Sequence, residues 1–281
     1  MTQDPIVSTS WLKEHLNAPD VVIIDASWYL PAMQRDAKKE YRQEHIPGAL
    51  FMDIDEVSDQ NSEFPHMLPE PHVFSSQMRR MGIGDGQTIV VYDGAGLFSA
   101  ARVWWMFRAF GVESVFVLDG GLPAWKAEGN PVTDEIPARL PRHFTAILNH
   151  DMVRNLDEVQ EALQTSSHLV LDARPSARFK GQAPEPREDV RGGHMPGALN
   201  LPHTLLLNEG KLRSKEELHD IFQQTGVDAS TPVITSCGSG VTAAVLTLAL
   251  EHAGFTKTAL YDGAWTEWGS SDKTEVVSEP A

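Results

Sequence analysis

The chain has a single cysteine, and its surroundings suit it to nucleophilic chemistry. Cys237 opens the run Cys237-Gly238-Ser239-Gly240-Val241-Thr242-Ala243. Before it, Pro232-Val233-Ile234-Thr235 reads as a buried strand. After it, Thr242 to Leu250 reads as a helix. Cys237 is therefore expected on a strand-to-helix turn. Two glycines allow the turn to curl, because glycine tolerates positive φ. Successive backbone N–H groups can then face inward, and the helix adds its positive N-terminal end. Such a cradle holds an anion and favours a thiolate over a thiol. Gly238, Ser239, Gly240, Val241, Thr242 and Ala243 are the expected anion-binding residues. The alternative is a free cysteine packed as a small hydrophobe. The Gly-Ser-Gly loop and the helix entry favour the nucleophile.

Composition narrows the chemistry. A formal charge of −16, with no basic tract, argues against nucleic acid as a partner. One cysteine leaves no intrachain disulfide and no cysteine-rich metal site. No His/Cys/Asp cluster has metal-ligand spacing, so no metal is expected. No apolar run reaches the roughly 18 residues of a membrane span. The start, Met1-Thr2-Gln3-Asp4-Pro5, is polar and acidic rather than signal-like. A soluble cytoplasmic protein without a membrane role is expected, in a compartment that keeps a thiol reduced.

The elements that must position Cys237 occur twice. Val21 to Asp25, Thr88 to Asp93 and Val115 to Leu118 read as buried strands. His45-Ile46-Pro47-Gly48-Ala49-Leu50 reads as a turn into another. Ser8-Thr9-Ser10 can cap a short helix through Leu16, and helices are expected over 71–81 and 100–110. The same order then returns. Asp172 follows Asp25 by 147 residues, His194 follows His45 by 149, Cys237 follows Asp93 by 144, and Asp262 follows Asp119 by 143. Offsets that drift so little mark a duplicated domain. Alternating short strands and helices imply, in each copy, a parallel sheet with helices on both faces. Ligands bind such sheets beyond the carboxyl ends of the strands. The expected organisation is a non-catalytic domain over 1–133, a proline-bearing linker over 134–150 and a catalytic domain over 151–281. Asp93 stands where the second copy has Cys237, so the first copy supplies no thiolate.

Together, Asp25 and Asp172, the two His-x-Pro-Gly-Ala turns, the Cys237 loop and Asp262-Gly263-Ala264-Trp265-Thr266-Glu267-Trp268 resemble the tandem rhodanese-fold sulfurtransferases. The resemblance spans nearly the whole chain. The loop Cys237-Gly238-Ser239-Gly240-Val241-Thr242 is similar to that of the 3-mercaptopyruvate sulfurtransferases. Thiosulfate sulfurtransferases carry Cys-Arg-Lys-Gly-Val-Thr instead. Two loop cations suit the thiosulfate dianion; Gly238 and Ser239 suit a monocarboxylate donor. The resemblance maps substrate-binding arginines onto Arg178 and Arg187. It also implies a proton relay of Asp55, His66 and Ser239, with Asp55 and His66 supplied by the first domain.

The activity this implies is transfer of sulfur from 3-mercaptopyruvate through a persulfide on Cys237, with no cofactor. The acceptor would be cyanide or a thiol, such as thioredoxin or a small thiol. The alternatives are a thiosulfate:cyanide sulfurtransferase and a non-catalytic binding module. A cysteine phosphatase needs an arginine six positions after its cysteine, and that position is Ala243. His45 and His194 recur in both copies, so they are expected to shape turns, as are Gly48 and Gly197. Arg191 is expected to be structural. Arg102 follows Ala101 where the family has proline, which leaves its role open. Trp125 and Trp268 are expected in the core. The residues from Ser270, including Glu275, Glu279 and Pro280, are expected to form a loose acidic tail.

Overall fold

The computed structural model describes residues 4–279. They form two compact units. Of the described residues, the first comprises 4–60, 68–149 and 208–212, and the second 61–67, 150–207 and 213–279. Pro280 and the opening residues Met1, Thr2 and Gln3 lie outside the described residues.

The first unit is built on strands β1 (Ile6–Val7), β2 (Val21–Asp25), β3 (Leu50–Phe51), β4 (Thr88–Tyr92) and β5 (Val115–Leu118). They pair in the order β1-β5-β4-β2-β3, every pair parallel. The second unit has β6 (Val153–Arg154), β7 (Leu169–Asp172), β8 (Leu199–Asn200), β11 (Val233–Ser236) and β12 (Thr258–Tyr261). Its order, β6-β12-β11-β7-β8, is the same, and again all parallel. Between them in sequence, β9 (Leu207–Asn208) and β10 (Lys211–Leu212) form a two-stranded pair. Helices flank both sheets, so the expected class and duplication hold. The central strands are largely apolar because both faces are covered, with Thr235 and Ser236 of β11 as buried polar exceptions. Val22, Ile24, Val90, Val91, Ile234 and Leu260 are all buried.

In each sheet the connections diverge at one place. The chain leaves β2 toward β3 on one side and β4 toward β5 on the other. The equivalent point in the second unit lies between β7 and β11. A crevice beyond the strand ends is expected at such a switch point. Asp172 pairs in register with Ser236, so Cys237 emerges there.

The duplicated turns show why their residues recur. His45 Nδ1 lies 2.6 Å from the Tyr41 carbonyl, and its ring stacks on Tyr41. His194 Nδ1 lies 2.9 Å from the Phe179 carbonyl, and its ring stacks on Phe179. Each histidine also pairs its backbone with a later segment, His45 with Thr133 and His194 with Val277. Gly48 and Gly197 have φ of 79° and 80°, which suits glycine. These residues are structural, as expected. Trp125 and Trp268 are buried. Arg191 is structural too: its guanidinium donates to the carbonyls of Gly269, Thr274, Trp268 and Ser271.

Two expectations need correction. The segment after Ser270 is tied down rather than loose. Trp268 Nε1 donates to the Glu275 carbonyl, and Glu279 N donates to the Lys180 carbonyl. Residues 134–149 have little regular structure, yet they pack onto the first unit. Asp85 accepts from Thr145 N and Oγ1, and Asn149 N donates to the Ala109 carbonyl. Among the described residues no helix is long and apolar enough to cross a membrane.

Candidate active site

Cys237 follows β11, and the helix Val241–His252 begins four residues later, one residue earlier than the sequence suggests. Nine of that helix's twelve residues are buried, so the turn at its start is anchored by a core element. Gly240 caps it with φ 81°, a left-handed conformation that suits glycine. Gly238 is small for another reason. A Cβ there would lie 3.2 Å from Arg178 Nη2. Only Gly240, then, uses the torsional freedom expected of both glycines.

The helix Ala264–Ser270 fixes the loop peptides. Trp265 N donates to the Cys237 carbonyl, while Thr266 donates to the Gly238 carbonyl through both N and Oγ1. In a trans peptide the N–H points opposite the C=O. With both carbonyls turned toward this helix, the amides of Gly238 and Ser239 face the other way. Cys237 is buried, with 2% of its surface exposed.

The first unit shows what such a loop binds. Asp93 sits at its equivalent strand end and is fully buried. Its Oδ1 accepts from Ala95 N at 2.9 Å, and its Oδ2 from Phe98 N at 2.7 Å and Ala100 N at 2.9 Å. Burial raises the Asp93 carboxyl pKa, and those amides oppose the rise. Leu122 N donates to the Asp93 carbonyl, as Trp265 N does to Cys237. Thr266, however, is replaced by Pro123, which has no N–H to give. Arg35 donates to the Gly94 carbonyl in its stead. The first unit's turn thus encloses its own carboxylate, whereas the second presents a thiol at that place.

Arg178 lies on the short helix Ser176–Phe179, beyond β7. Its Nε donates to Glu185 Oε1 at 3.3 Å and its Nη2 to Glu185 Oε2. Arg174 Nη1 donates to Glu185 Oε1 at 2.9 Å. Arg174 also grips Asp172, with Nε 3.1 Å and 2.9 Å from the two carboxylate oxygens and Nη2 2.7 Å from Oδ2. The guanidinium of Arg174 stacks 4.2 Å over the Trp265 ring. The result is a buried row of alternating charge, Asp172, Arg174, Glu185 and Arg178, ending at Gly238. Arg187 is exposed on the irregular segment after Glu185; the structure does not bring it onto the loop as it brings Arg178.

His66 is buried and carries φ 63°, a left-handed backbone that histidine adopts more readily than most residues. Expected from the first domain, it rides on residues 61–67, which belong to the second unit. Its Nδ1 lies 3.0 Å from Ser239 Oγ and 3.3 Å from the Ser239 carbonyl oxygen. With Nδ1 bare, the Ser239 hydroxyl donates to it; protonated, Nδ1 donates to either oxygen. Asp55 belongs to the first unit, just after the cap residue Asp53, and its Oδ2 accepts from Trp28 Nε1 at 2.9 Å. Arg102 is fully buried in the helix Ala100–Ala109, its guanidinium 4.4 Å over the Trp105 ring. Among the described residues no group of three His, Cys, Asp or Glu side chains could hold a metal ion.

Sequence reasoning missed Arg174 and gave no role to Glu185 or Thr266. A signal for Arg174 existed: an arginine two residues past the strand-end Asp172, where the first copy has Ser27 after Asp25. Nothing in the sequence marked Thr266, whose part depends on the approach of its helix to the loop.

Comparison with known proteins agrees with this geometry. The rhodanese-like domain family matches residues 8–128 and 155–271. The chain is 45% identical over 276 residues to the 3-mercaptopyruvate sulfurtransferase of Escherichia coli K12, covering 98% of this chain and 97% of that one. It is 40% identical over 299 residues to the mitochondrial thiosulfate/3-mercaptopyruvate sulfurtransferase 1 of Arabidopsis thaliana, covering 99% and 79%. The crystal structure of the Escherichia coli 3-mercaptopyruvate sulfotransferase SseA superposes with a TM-score of 0.86 at 42% identity, covering 94% and 99%.

Proposed function

The chain belongs to the rhodanese family and is a sulfurtransferase, and we propose that it takes sulfur from 3-mercaptopyruvate onto Cys237, releases pyruvate, and hands the sulfur to a thiol or to cyanide. The observation that carries this reading is the contrast between the two copies of one turn. Where the first encloses the Asp93 carboxylate with three amides, the second offers a cysteine.

In the first half-reaction the Cys237 thiolate attacks the donor's sulfur. A sulfur–sulfur bond forms, the donor's carbon–sulfur bond breaks, and its electron pair passes to carbon as the pyruvate enolate. The donor's own thiol proton balances the step by moving to that carbon. Ser239 and His66, 3.0 Å apart, are the groups at the loop that can carry it. Asp55 is the proposed orienting acid of that relay. The anionic outer sulfur rests against the loop amides. An acceptor thiolate or cyanide then attacks it and frees Cys237, so ping-pong kinetics follow. Arg178 is the proposed partner of the donor carboxylate, because a guanidinium presents a planar fork to it. Arg187 is proposed as a second, outer contact.

The persulfide requires no further cofactor. Thioredoxin or a small thiol suits the acceptor step, and a reducing compartment such as the cytoplasm suits the free thiol. A preference for thiosulfate is the second reading, supported by the double name of the Arabidopsis relative. Initial rates with 3-mercaptopyruvate and with thiosulfate, cyanide being the acceptor in both, decide between them. Faster turnover of 3-mercaptopyruvate is expected. Faster turnover of thiosulfate overturns the donor assignment, and turnover of neither overturns the reading.

A further inference from the structure

We infer that Glu185 selects the donor: it holds Arg178 by one edge and cancels one positive charge beside Gly238, so that a monocarboxylate is favoured over a dianion. This rests on the sulfurtransferase reading above and adds a residue to it that touches neither Cys237 nor the loop.

The side chains of Arg174 and Glu185 are 1% and 3% exposed, and that of Arg178 is 21% exposed. The Glu185 side chain is therefore almost wholly shielded, while its partner Arg178 is partly exposed. Two cations converge on its carboxylate, the buried Arg174 on Oε1 and the partly exposed Arg178 on both oxygens. Arg174 is in turn fixed by Asp172, by the Gly193 carbonyl and by the Trp265 ring. Glu185 is thus held from behind by a rigid group, and it passes that rigidity to Arg178.

The geometry of the grip has a consequence. Glu185 engages Arg178 along the Nε–Nη2 edge. A guanidinium has a second fork, formed by Nη1 and Nη2. Among the described residues Nη1 has no protein partner, and Nη2 is the atom closest to the Cβ position of Gly238. The open fork suits a planar carboxylate. A free arginine would spend rotamer entropy on each binding event; one already gripped spends less.

Charge acts in the same direction. The row Asp172, Arg174, Glu185 and Arg178 carries two negative and two positive groups. With Glu185 neutral it would gain one positive charge. An added charge attracts a dianion about twice as strongly as a monoanion. Loss of the grip costs a planar carboxylate more than it costs the near-tetrahedral thiosulfate. Both effects lower the preference for 3-mercaptopyruvate over thiosulfate, whatever happens to either rate alone.

The test compares Glu185→Gln and Glu185→Asp with the parent chain. The quantity read is the ratio of kcat/KM for 3-mercaptopyruvate to kcat/KM for thiosulfate, with cyanide as acceptor. Glu185→Gln should lower it about tenfold, chiefly through KM for 3-mercaptopyruvate. Discharge of a preformed persulfide to cyanide should stay within about twofold. Glu185→Asp keeps the charge and should retain more of the ratio. An equal loss with both donors would show a structural role only and overturn the inference, as would an unchanged ratio. Because losing a buried carboxylate can unfold the chain, a measurement on the parent stands beside these. Pyruvate should protect Cys237 from alkylation better than sulfate at equal ionic strength; better protection by sulfate contradicts the inference. A parent chain inactive with both donors would instead overturn the sulfurtransferase reading.

Discussion

Three groups reach the Cys237 loop from different directions: Arg178 against Gly238, His66 against Ser239, and Thr266 on the Gly238 carbonyl. The first two make separable predictions. Arg178→Ala removes the fork proposed for the donor carboxylate. A charged hydrogen bond contributes about 1.5–3 kcal/mol, so KM for 3-mercaptopyruvate should rise by about tenfold or more. Persulfide discharge to cyanide, followed in a separate half-reaction, should change by less than about twofold; equal losses in both half-reactions would contradict the assignment. Ser239→Ala removes the hydroxyl facing His66. It should slow persulfide formation from 3-mercaptopyruvate by about 100-fold, the usual scale of acid–base assistance. With thiosulfate, whose leaving sulfite needs no carbon protonation, the effect should be small. A similar loss with both donors would mean that Ser239 shapes the turn and carries no proton.

The turn between β11 and the helix Val241–His252 is the element on which these groups converge. It was legible in the sequence because a strand, two glycines and an apolar helix occur in the one order that makes an anion cradle. Arg178 and the relay role of Ser239 could be picked out through the resemblance to the tandem rhodanese-fold sulfurtransferases. Glu185 and Thr266 could not, since each acts through a contact made only when separate elements pack. The division of labour between the two glycines was hidden for the same reason: positive φ can be anticipated at a helix entry, whereas the space Arg178 takes beside Gly238 cannot. Gly240→Ala places a Cβ in a left-handed backbone and should cost about 1–2 kcal/mol of stability, read from denaturant midpoints. In the first unit the matching turn is sealed by Asp93. Asp93→Asn turns an NH2 toward amide donors, so it should cost about 1–3 kcal/mol. A midpoint equal to the parent's would mean that the enclosed carboxylate does not hold that turn.

Over the whole molecule, duplication made the fold readable, because the second copy repeats the motifs of the first in the same order along the chain. It also concealed how the halves specialised. The strand-end acids show this: Asp172 is gripped by Arg174, whereas Asp25 accepts from the Ser27 amide. Burial holds the Asp25 carboxyl above its ordinary value of 3.8, and hydrogen bonds from Ser27 only partly offset this. The sign follows from linkage. With the folded pKa raised, the stabilising contribution is complete below the ordinary value and is lost as pH rises through the folded pKa. Asp25→Asn should therefore flatten the fall in stability as pH rises above the ordinary carboxylate value of 3.8, measured by thermal or denaturant unfolding. An unaltered pH profile would contradict it. Domain limits were less legible than the fold, since residues 61–67 and 208–212 each belong to the unit other than the one their sequence position suggests. The central claim remains sulfur transfer through Cys237, and intact-protein mass tests it most directly. Treatment with 3-mercaptopyruvate and no acceptor should add one sulfur atom to the parent chain and none to Cys237→Ser, and cyanide should remove it. Pyruvate release with no mass gain, or a gain that persists in Cys237→Ser, would contradict the account.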